Sequence, residues 1–307
     1  MAGAITDPHG RILVTRRHDH VHQGGLWEFP GGKLEPGEDP ERGLARELAE
    51  ELGISVRESQ PLIRIHHDYG DRHILLDVRR VSRYAGDPQG LEGQPLAWLR
   101  PESMDPDAFP AADRPIITAL RLPPLLLITG ADPNAPAAFL KRLEAVINSG
   151  VGLVQLRAHE LQRAEYRRLA EDAFALCAPA GAQLLLNRDP REVAEIPRHG
   201  LHLPARALAA LESRPGLPGD LVGASCHDTG ELARAAALGL DYALLSPVRA
   251  TASHPGFTPL GWTRFAELVD PVPLPVFALG GLHPADLDVA FRHGAQGVAA
   301  IRGLWPE

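Results

Sequence analysis

Three glutamates, Glu47, Glu50 and Glu51, form the densest chemical signal in this 307-residue chain. Their i, i+3 and i+4 spacing places the three side chains on one face of a helix. Because neighbouring carboxylates repel one another, this face favours a cation among them. Mg²⁺ is a hard ion that binds both carboxylate and phosphate oxygens. The alternative is a solvated acidic face, which is the usual meaning of a glutamate-rich helix.

The surrounding residues predict where this helix begins and ends. Asp39 is a favourable N-cap, and Pro40 suits the first helical position. Gly53 suits the position just beyond the helix end, where a left-handed backbone is common. The predicted helix therefore spans roughly residues 40–52.

The helix lies inside a longer pattern, G-x5-E-x7-R-E-U-x-E-E-x-G-U with U aliphatic, and every specified position is matched. The matching residues are Gly32, Glu38, Arg46, Glu47, Leu48, Glu50, Glu51, Gly53 and Ile54. With this pattern the chain resembles the Nudix hydrolases, which cleave nucleoside diphosphates linked to another group. The resemblance implies a loop–helix–loop that binds Mg²⁺ or Mn²⁺.

Flanking segments narrow the resemblance to the MutT branch of that family and extend it over roughly residues 1–121. The segments are 15–17, 27–33, 71–74, 91–95 and 109–115. The resemblance implies a Nudix α/β/α sandwich that hydrolyses 8-oxo-dGTP, or related nucleoside triphosphates, to the monophosphate and pyrophosphate. Such an activity cleans the nucleotide pool for DNA replication and belongs with DNA repair.

The resemblance also implies roles for individual residues. It assigns catalysis to Arg46, Glu47, Glu50, Glu51 and Glu92, and metal binding to the Gly31 carbonyl, Glu47, Glu50 and Glu51. The expected reaction is attack by water on the β-phosphorus, with Mg²⁺ stabilising the charge of the phosphate oxygens. The base is either Glu47 or Glu92, and both stay open.

The expected nucleotide-binding residues come from four separate segments. They are Arg17, Glu28, Phe29, Pro30, Gly31, Arg72 and Asp113. By the resemblance, Arg17 and Arg72 contact the nucleotide and residues 28–31 line the base pocket. Asp113 stands where the family has an asparagine that reads the base. An asparagine amide offers a donor and an acceptor, whereas an ionised aspartate has acceptors only.

The chain divides at residues 121–124, where two consecutive prolines end a helical stretch. Beyond this break, apolar runs of strand length alternate with helical runs. The predicted strands are 125–129, 153–157, 183–187, 201–203, 221–226, 242–248, 275–279 and 297–301, and the helical runs include 137–149, 165–178, 231–238 and 262–269.

This alternation predicts a parallel sheet, most simply a (β/α)8 TIM-type barrel. A doubly wound open sheet is the alternative. Only residues 302–307 follow the last strand, too few for a normal eighth helix. We therefore expect an α+β domain over residues 1–121 and an α/β barrel over residues 125–307.

The second half resembles thiamine phosphate synthase and its TenI-like relatives in a series of short segments. The segments are 155–157, Asn187, 200–203, 223–227, 246–248, 278–281 and 294–299. Gly280 and Gly281 after the seventh strand, with Arg302 and Gly303 after the eighth, lie where such barrels bind phosphate. The alternative is that these glycines only form tight turns.

Several departures from the synthase pattern fall on its catalytic positions. Arg188 follows Asn187 in place of a metal-binding aspartate, and Ala207 stands near the place of a second acidic ligand. His159 and His254 replace lysines. Because both expected Mg²⁺ carboxylates are missing, we expect a barrel that lacks synthase activity and binds a phosphorylated ligand.

Composition excludes other classes of function. The chain has 31 basic and 39 acidic residues, and this net charge of −8 disfavours general nucleic-acid binding. No apolar run approaches the ~18 residues of a membrane span, and residues 1–17 indicate strand, turn and strand rather than a signal peptide. We expect a cytoplasmic protein without nucleic-acid or membrane partners.

Cys177 and Cys226 have apolar neighbours and are expected to be buried thiols.

Taken together, these patterns predict a Mg²⁺-dependent nucleotide pyrophosphohydrolase joined to a barrel without synthase activity. Three alternatives stay open. The barrel is a thiamin-pathway transferase with an accessory Nudix pyrophosphatase, or it is a phosphate-ligand sensor that regulates the hydrolase, or the Nudix half acts on a different nucleotide. The sequence does not indicate an oligomeric state.

Overall fold

The computed structural model of this chain describes residues 1–20, 23–70, 73–130, 133–251, 256 and 258–305. The chain divides into two units, Met1–Arg121 and Leu122–Glu307. The strands of the first unit are β1 (Ala2–Ile5), β2 (Ile12–Arg16), β3 (Trp27–Glu28), β4 (Ser55–Asp68), β5 (His73–Ala85) and β6 (Leu96–Leu99), and its helices are α1 (Pro40–Leu52) and α2 (Arg114–Arg121).

Two three-stranded sheets build the first unit. One has the order β1-β5-β4, with β1 parallel and β4 antiparallel to β5, and the other is antiparallel with the order β3-β2-β6. On one side, Leu44 and Leu48 of α1 pack with Ile5. Ile116 of α2 packs with Val14 in a separate apolar cluster. Two helices covering different apolar clusters of the strands confirm the predicted α/β/α arrangement.

The first residues form a strand, a turn and a strand, as predicted. Asp7 closes the turn, because its carboxylate accepts the backbone N–H groups of His9 at 2.9 Å and Arg11 at 2.8 Å. The two strands do not form a hairpin within one sheet. β1 pairs with β5, whereas β2 pairs with β3 and β6.

The second unit is a closed barrel of eight parallel strands, as predicted. Its strands are β7 (Leu125–Ile128), β8 (Leu153–Leu156), β9 (Gln183–Leu186), β10 (Gly200–Leu203), β11 (Leu221–Cys226), β12 (Tyr242–Leu245), β13 (Val276–Leu279) and β14 (Gly297–Ala300). Its helices are α3 (Pro136–Asn148), α4 (Arg163–Cys177), α5 (Ala205–Ala210), α6 (Thr229–Ala237), α7 (Gly261–Val269) and α8 (Leu287–Arg292). The pairing of β14 with β7 closes the barrel and excludes the open sheet.

Large apolar side chains fill the barrel interior. Tyr242 and Phe277 are fully buried and meet edge to face, with ring centroids 5.8 Å apart. Gly223 faces the Tyr242 ring so closely that a Cβ there would overlap it. Both cysteines are buried, and burial raises the pKa of each thiol to about 12.

Trp305 follows the last barrel strand and packs against the first helix of the barrel. Residues 301–305 form a turn after β14. Trp305 is buried, and its ring centroid lies 4.9 Å from that of Phe139 in α3. It also contacts Gly130, where a Cβ would overlap the indole. In the ranges that the structure describes, no helix is long and apolar enough to cross a membrane.

The two units should fold as separate polypeptides, because each has its own buried apolar clusters. A polypeptide ending at Arg121 and one beginning at Leu122 should each show a single cooperative thermal transition by circular dichroism. A polypeptide ending at Ile117 is the control, and it should be strongly destabilised because it lacks the buried Ala119 and Leu120. An unfolded 1–121 polypeptide would contradict the proposed boundary.

Candidate active site

Helix α1 begins and ends as predicted. The Asp39 carboxylate accepts the backbone N–H groups of Glu41 at 3.0 Å and Arg42 at 3.2 Å. At the other end, Gly53 has a left-handed backbone (φ 68°), and its N–H donates to the Ala49 carbonyl. Because both ends of the helix are fixed, its leucines point into the core. Glu47 and Glu51 then face the loop at residues 31–32.

Two glycines bring the loop against the glutamates. The Gly31 N–H donates to a Glu51 carboxylate oxygen at 3.1 Å. Gly31 has a φ of 146°, which L side chains rarely adopt, and a Cβ at Gly32 would overlap the carboxylate of Glu47. Only glycine at both positions allows this close approach of backbone to carboxylates.

Arg46 ties the same loop to the helix. Its Nε and Nη2 donate to the two carboxylate oxygens of Glu38 at 3.0 and 2.9 Å, and Nη2 also donates to the Lys33 carbonyl at 3.1 Å. Its Nη1 lies 3.1 Å from Glu47. This bidentate geometry lowers the pKa of the Glu38 carboxyl and orients Glu47 toward the loop.

The three helical glutamates do not lie in equivalent surroundings. Glu47 and Glu51 face the glycine loop, whereas the Glu50 side chain is 60% exposed and contacts Arg46 at 3.4 Å. Glu92, from the loop before β6, lines the same cleft of about 200 Å³ as Glu51. The structure therefore brings Glu51 and Glu92 into one cleft, whereas Glu47 and Glu50 are not among the residues that line it.

The Glu51 carboxyl is in a strongly unfavourable electrostatic environment. Burial, followed by the negative charges of Glu92, Glu47 and Glu28, raises its pKa to about 7, although the Gly31 N–H opposes this shift. A divalent cation would remove that repulsion and return the group to its ionised form. The oxygen-rich donor set therefore suits a hard cation. Within the described residues, no three His, Cys, Asp or Glu side chains already converge as a complete ligand set.

A second cleft, of about 250 Å³, adjoins the first. Residues from the predicted base pocket line it together with Arg17 and Asp113. Arg17 forms an ion pair with Glu28, and burial raises the pKa of Glu28 against the opposing effect of that arginine. Pro30 is not among the residues that line this cleft, and its carbonyl accepts the Gly3 N–H at 2.8 Å. Arg72 lies outside the described residues.

Asp113 is the most deeply placed charged side chain of this second cleft, with 7% exposure. Burial, followed by the charge of Glu28, raises its pKa to about 7, and Arg17 and the Phe29 N–H oppose this shift. The ring of Phe29 stacks on that of Phe109, with centroids 5.7 Å apart, and so closes one wall. Asp113 is therefore a carboxyl that changes charge near neutral pH inside a nucleobase-sized cleft.

The barrel brings its four predicted phosphate-site residues together. Gly280, Gly281, Arg302 and Gly303 line a cleft of about 380 Å³ at the carboxyl ends of the strands, with Ser246 and His283. Gly281 has a left-handed backbone (φ 63°), and a Cβ there would meet the Ala250 carbonyl. The wall is rich in glycine backbone and carries no carboxylate among its described lining residues.

Arg188 has a structural role at the position where the synthase resemblance calls for a carboxylate. Its Nη2 donates to the carbonyls of Ala158 at 2.8 Å and Leu161 at 2.6 Å, and its guanidinium lies 4.6 Å from the Tyr166 ring centroid. Asn187 donates to the His202 carbonyl at 3.0 Å. Ala207 lies in α5 and supplies no ligand, and His254 lies outside the described residues.

Three polar side chains form a hydrogen-bonded row inside the barrel, and the sequence pattern predicted no role for them. His202 Nδ1 lies 2.8 Å from the Tyr242 hydroxyl, and its Nε2 lies 2.9 Å from Ser225 Oγ. Burial lowers the pKa of His202 to about 3, so the imidazole is neutral. The signal available in the sequence was the inward-facing alternation of β10 to β12, but it does not show which residues bond.

Comparisons with known proteins agree with this division of the chain. A family model described as NUDIX domain matches residues 1–119, and one described as thiamine monophosphate synthase matches residues 125–304. The 8-oxo-dGTP diphosphatase of Escherichia coli strain K12 is 40% identical over 119 residues, which are 39% of this chain and 92% of that protein. The CTP pyrophosphohydrolase of the same strain is 36% identical over 119 residues, covering 39% of this chain and 88% of that protein.

The barrel has a comparable relative. The putative thiamine-phosphate synthase 2 of Aquifex aeolicus strain VF5 is 34% identical over 163 residues, which are 53% of this chain and 88% of that protein. These matches and the two observed folds support one conclusion. The chain belongs to two families, with a Nudix hydrolase domain in its first unit and a thiamine monophosphate synthase family barrel in its second.

Proposed function

We propose that the first unit hydrolyses 8-oxo-dGTP to 8-oxo-dGMP and pyrophosphate. The observation that carries this proposal is the pair of adjoining clefts, one with Glu51 and Glu92 and one closed by the buried Asp113. The first suits a cation and a polyphosphate, and the second suits a base. The similarity to the 8-oxo-dGTP diphosphatase supports the choice of substrate.

The Nudix family generally uses divalent metal ions, and we propose Mg²⁺ for this chain, with Mn²⁺ as a substitute. The Gly31 carbonyl, Glu47 and Glu51 would bind it, with Glu50 joining from the edge of the site. When bound, such an ion supplies charge stabilisation to the phosphate oxygens and makes water more acidic. Arg46 does not need to contact the substrate, because its bonds to Glu38 and Glu47 already orient the ligands.

The residues of this chain would then position substrate and transfer one proton. A water oxygen attacks the β-phosphorus, and the bond from that phosphorus to the α–β bridging oxygen breaks. The monophosphate leaves with the bridging oxygen, and pyrophosphate carries the oxygen from water. Glu47 or Glu92 accepts the water proton. Glu47 lies against Gly32, and Glu92 lines the cleft with Glu51. Arg17 would offer planar N–H donors to the nucleotide when it exchanges its bond to Glu28.

Asp113 would read the base through its protonation state. Oxidised guanine displays an O6 acceptor beside an N7–H donor, whereas ordinary guanine has acceptors at both positions. A protonated Asp113 carboxyl offers a donor and an acceptor and matches the oxidised base twice. The ionised form can accept only the N7–H and faces O6 with a like partial charge.

A second candidate keeps the reaction and changes the nucleotide. The CTP pyrophosphohydrolase relative is nearly as similar to this unit as the 8-oxo-dGTP diphosphatase. An ionised Asp113 suits an exocyclic amino group, and cytosine has one at C4. A panel of nucleoside triphosphates, assayed with and without Mg²⁺, separates the two candidates by their kcat/KM values.

For the barrel we propose binding of a phosphorylated small molecule without thiamine phosphate synthesis. Glycine backbone and Arg302 at one cleft support an anion site. Arg188 bonds to backbone carbonyls where the synthase pattern has a metal-binding carboxylate, and Ala207 offers no replacement. A regulatory barrel and a thiamin-pathway transferase remain the alternative hypotheses.

Replacing Glu51 or Glu47 by glutamine should lower kcat at least about 10³-fold, because each change removes a charged ligand while it keeps the side-chain shape. Glu41→Gln on the same helix is the matched control, since Glu41 pairs with Arg79 outside the cleft. Steady-state hydrolysis of 8-oxo-dGTP measures the effect. Near-normal turnover by both variants would remove the metal assignment.

Replacing Asp113 by asparagine should raise the ratio of kcat/KM for 8-oxo-dGTP over dGTP by about 5-fold or more at neutral pH, because it restores the donor permanently. In the unsubstituted chain the same ratio should rise as the pH falls below 7, whereas the Asp113→Asn ratio should stay flat. Asp107→Asn, on the exposed turn nearby, is the control. An unchanged ratio for Asp113→Asn would show that this side chain does not read the base.

Asp113 should also make folding pH-dependent. Its pKa is 3.8 as a free group and about 7 when folded, so the folded chain binds more protons between these values and loses stability as the pH rises through that window. Asp113→Asn lacks this loss. Its stability relative to the unsubstituted chain should therefore increase by roughly 4 kcal/mol from about pH 4 to about pH 8 in urea unfolding, because one pKa unit corresponds to about 1.4 kcal/mol.

The full chain should show no synthase turnover with a pyrimidine diphosphate and a thiazole phosphate. The assay uses the Glu51→Gln chain so that the first unit does not consume the diphosphate. In calorimetric titrations, inorganic phosphate should bind this chain, and Arg302→Gln should weaken that binding, with Arg292→Gln as the control. Measurable thiamine phosphate would contradict the absence of synthase activity, and equal phosphate affinity in both arginine variants would contradict the anion site.

A further inference from the structure

Gln94 connects the two sides of the candidate hydrolase site. Its amide Nε2 donates to the Glu51 backbone carbonyl at 3.2 Å, and its amide Oε1 accepts the Glu92 backbone N–H at 3.0 Å. One half-buried side chain thus bonds both to the last turn of α1 and to the loop that carries Glu92. Neither the sequence pattern nor the family comparison assigns this residue a role.

The loop attaches to the helix through carbonyls that have no partner within the helix. The last carbonyls of a helix lack intrahelical donors, and here the Leu91 N–H donates to the Glu51 carbonyl at 3.0 Å and the Gln89 N–H to the Leu52 carbonyl at 3.0 Å. Gln94 adds a second donor at Glu51. The loop before β6 is therefore fixed to the same residue whose side chain accepts the Gly31 N–H.

The local backbone leaves little freedom for another arrangement. Gly93 has a left-handed backbone (φ 82°), and its N–H donates to the Gly90 carbonyl at 3.0 Å. A Cβ at Gly90 would overlap the Gln94 carbonyl. Beyond the turn, the Pro95 carbonyl accepts the Arg16 N–H at 2.9 Å. Backbone hydrogen bonds therefore fix this turn before and after Gln94. The Gln94 amide adds a side-chain link from the turn to α1.

Electrostatics explain why such a link is needed. Glu51 and Glu92 line the same cleft, and two carboxylates placed there repel each other when both are ionised. The exposed Glu92 would move away from Glu51 if only repulsion acted on it. A neutral amide can oppose this movement without adding charge, because it donates to one side and accepts from the other.

We propose that Gln94 is a positioning residue for the hydrolysis proposed above, and that it fixes Glu92 relative to Glu51 through its two amide hydrogen bonds. Glutamate at this position would keep the acceptor for the Glu92 N–H and lose the donor for the Glu51 carbonyl. Methionine would keep the length and lose both bonds. Outer residues that orient metal ligands and bases typically change activity or metal affinity by about 10- to 100-fold.

The test compares Gln94→Met and Gln94→Glu with matched changes at Gln89, which is exposed in the same loop and bonds through its backbone only. Both Gln94 variants should lower kcat for 8-oxo-dGTP by about 10- to 100-fold with KM within about threefold. The Gln89→Met and Gln89→Glu chains should retain the original kcat. Thermal melting of all four variants separates this effect from a loss of folding.

A double-mutant cycle with Glu92→Gln shows whether Gln94 acts through Glu92. If it does, Gln94→Met should lower kcat by less than about threefold in the Glu92→Gln chain, because the group being positioned is already altered. Equal effects in both backgrounds would overturn the proposal, and so would unchanged kcat in both Gln94 variants.

Mn²⁺ binding, followed by electron paramagnetic resonance without substrate, gives a readout independent of turnover. Because Gln94 also bonds to the backbone of Glu51, a proposed metal ligand, Gln94→Met should weaken Mn²⁺ binding by about 10-fold or more relative to Gln89→Met. If the unsubstituted chain hydrolyses none of the triphosphates, the proposed function is wrong. Mn²⁺ binding would then still test whether the two Gln94 hydrogen bonds position the site. Equal Mn²⁺ affinity in the two methionine variants would count against positioning by Gln94.

Discussion

The first unit depends on close packing of the carboxylates of α1 against the backbone of a glycine loop. Glu51 accepts the Gly31 N–H, Glu47 lies against Gly32, and burial with mutual repulsion raises the pKa of Glu51 to about 7. Such an arrangement persists only if the surrounding structure fixes it. The leucines on the opposite face of α1 provide part of that rigidity, and Arg46 provides another part by bonding the loop and the helix together.

The clefts of the two units differ in the charged groups that line them. In the first, carboxylates predominate, so the site favours a cation and, through it, phosphate groups. In the barrel, glycine backbone and Arg302 line the cleft, and Arg188 bonds to neighbouring carbonyls at the position of a metal-binding carboxylate. In the function proposed above, this cleft binds an anion. On that proposal the two units differ in the charge that their clefts accept.

Asp113 differs from the asparagine that the MutT resemblance implies at this position, and this difference changes the hydrogen-bonding chemistry of the cleft. An amide would present the same donor and acceptor at every pH. The carboxyl presents them only when protonated, and its burial beside Glu28 brings that transition close to neutral pH. On the proposed function, base recognition and folding stability would both depend on the proton of Asp113.

The sequence alone determined the parts of this protein that depend on local spacing. The caps at Asp39 and Gly53 fixed the bounds of α1, and alternating apolar runs fixed the order of the barrel strands, because both signals arise within a few residues. The i, i+3 and i+4 spacing placed Glu47, Glu50 and Glu51 on one helical face. The tertiary structure decided that the Glu50 side chain is exposed beside Arg46. It also decided that β1 and β2 join different sheets, and that Gln94 links Glu51 to the loop that carries Glu92. It also showed that Arg188 bonds to carbonyls and that Trp305 packs on Phe139 of α3. These outcomes depend on contacts between residues distant in the chain, and no local pattern specifies such contacts.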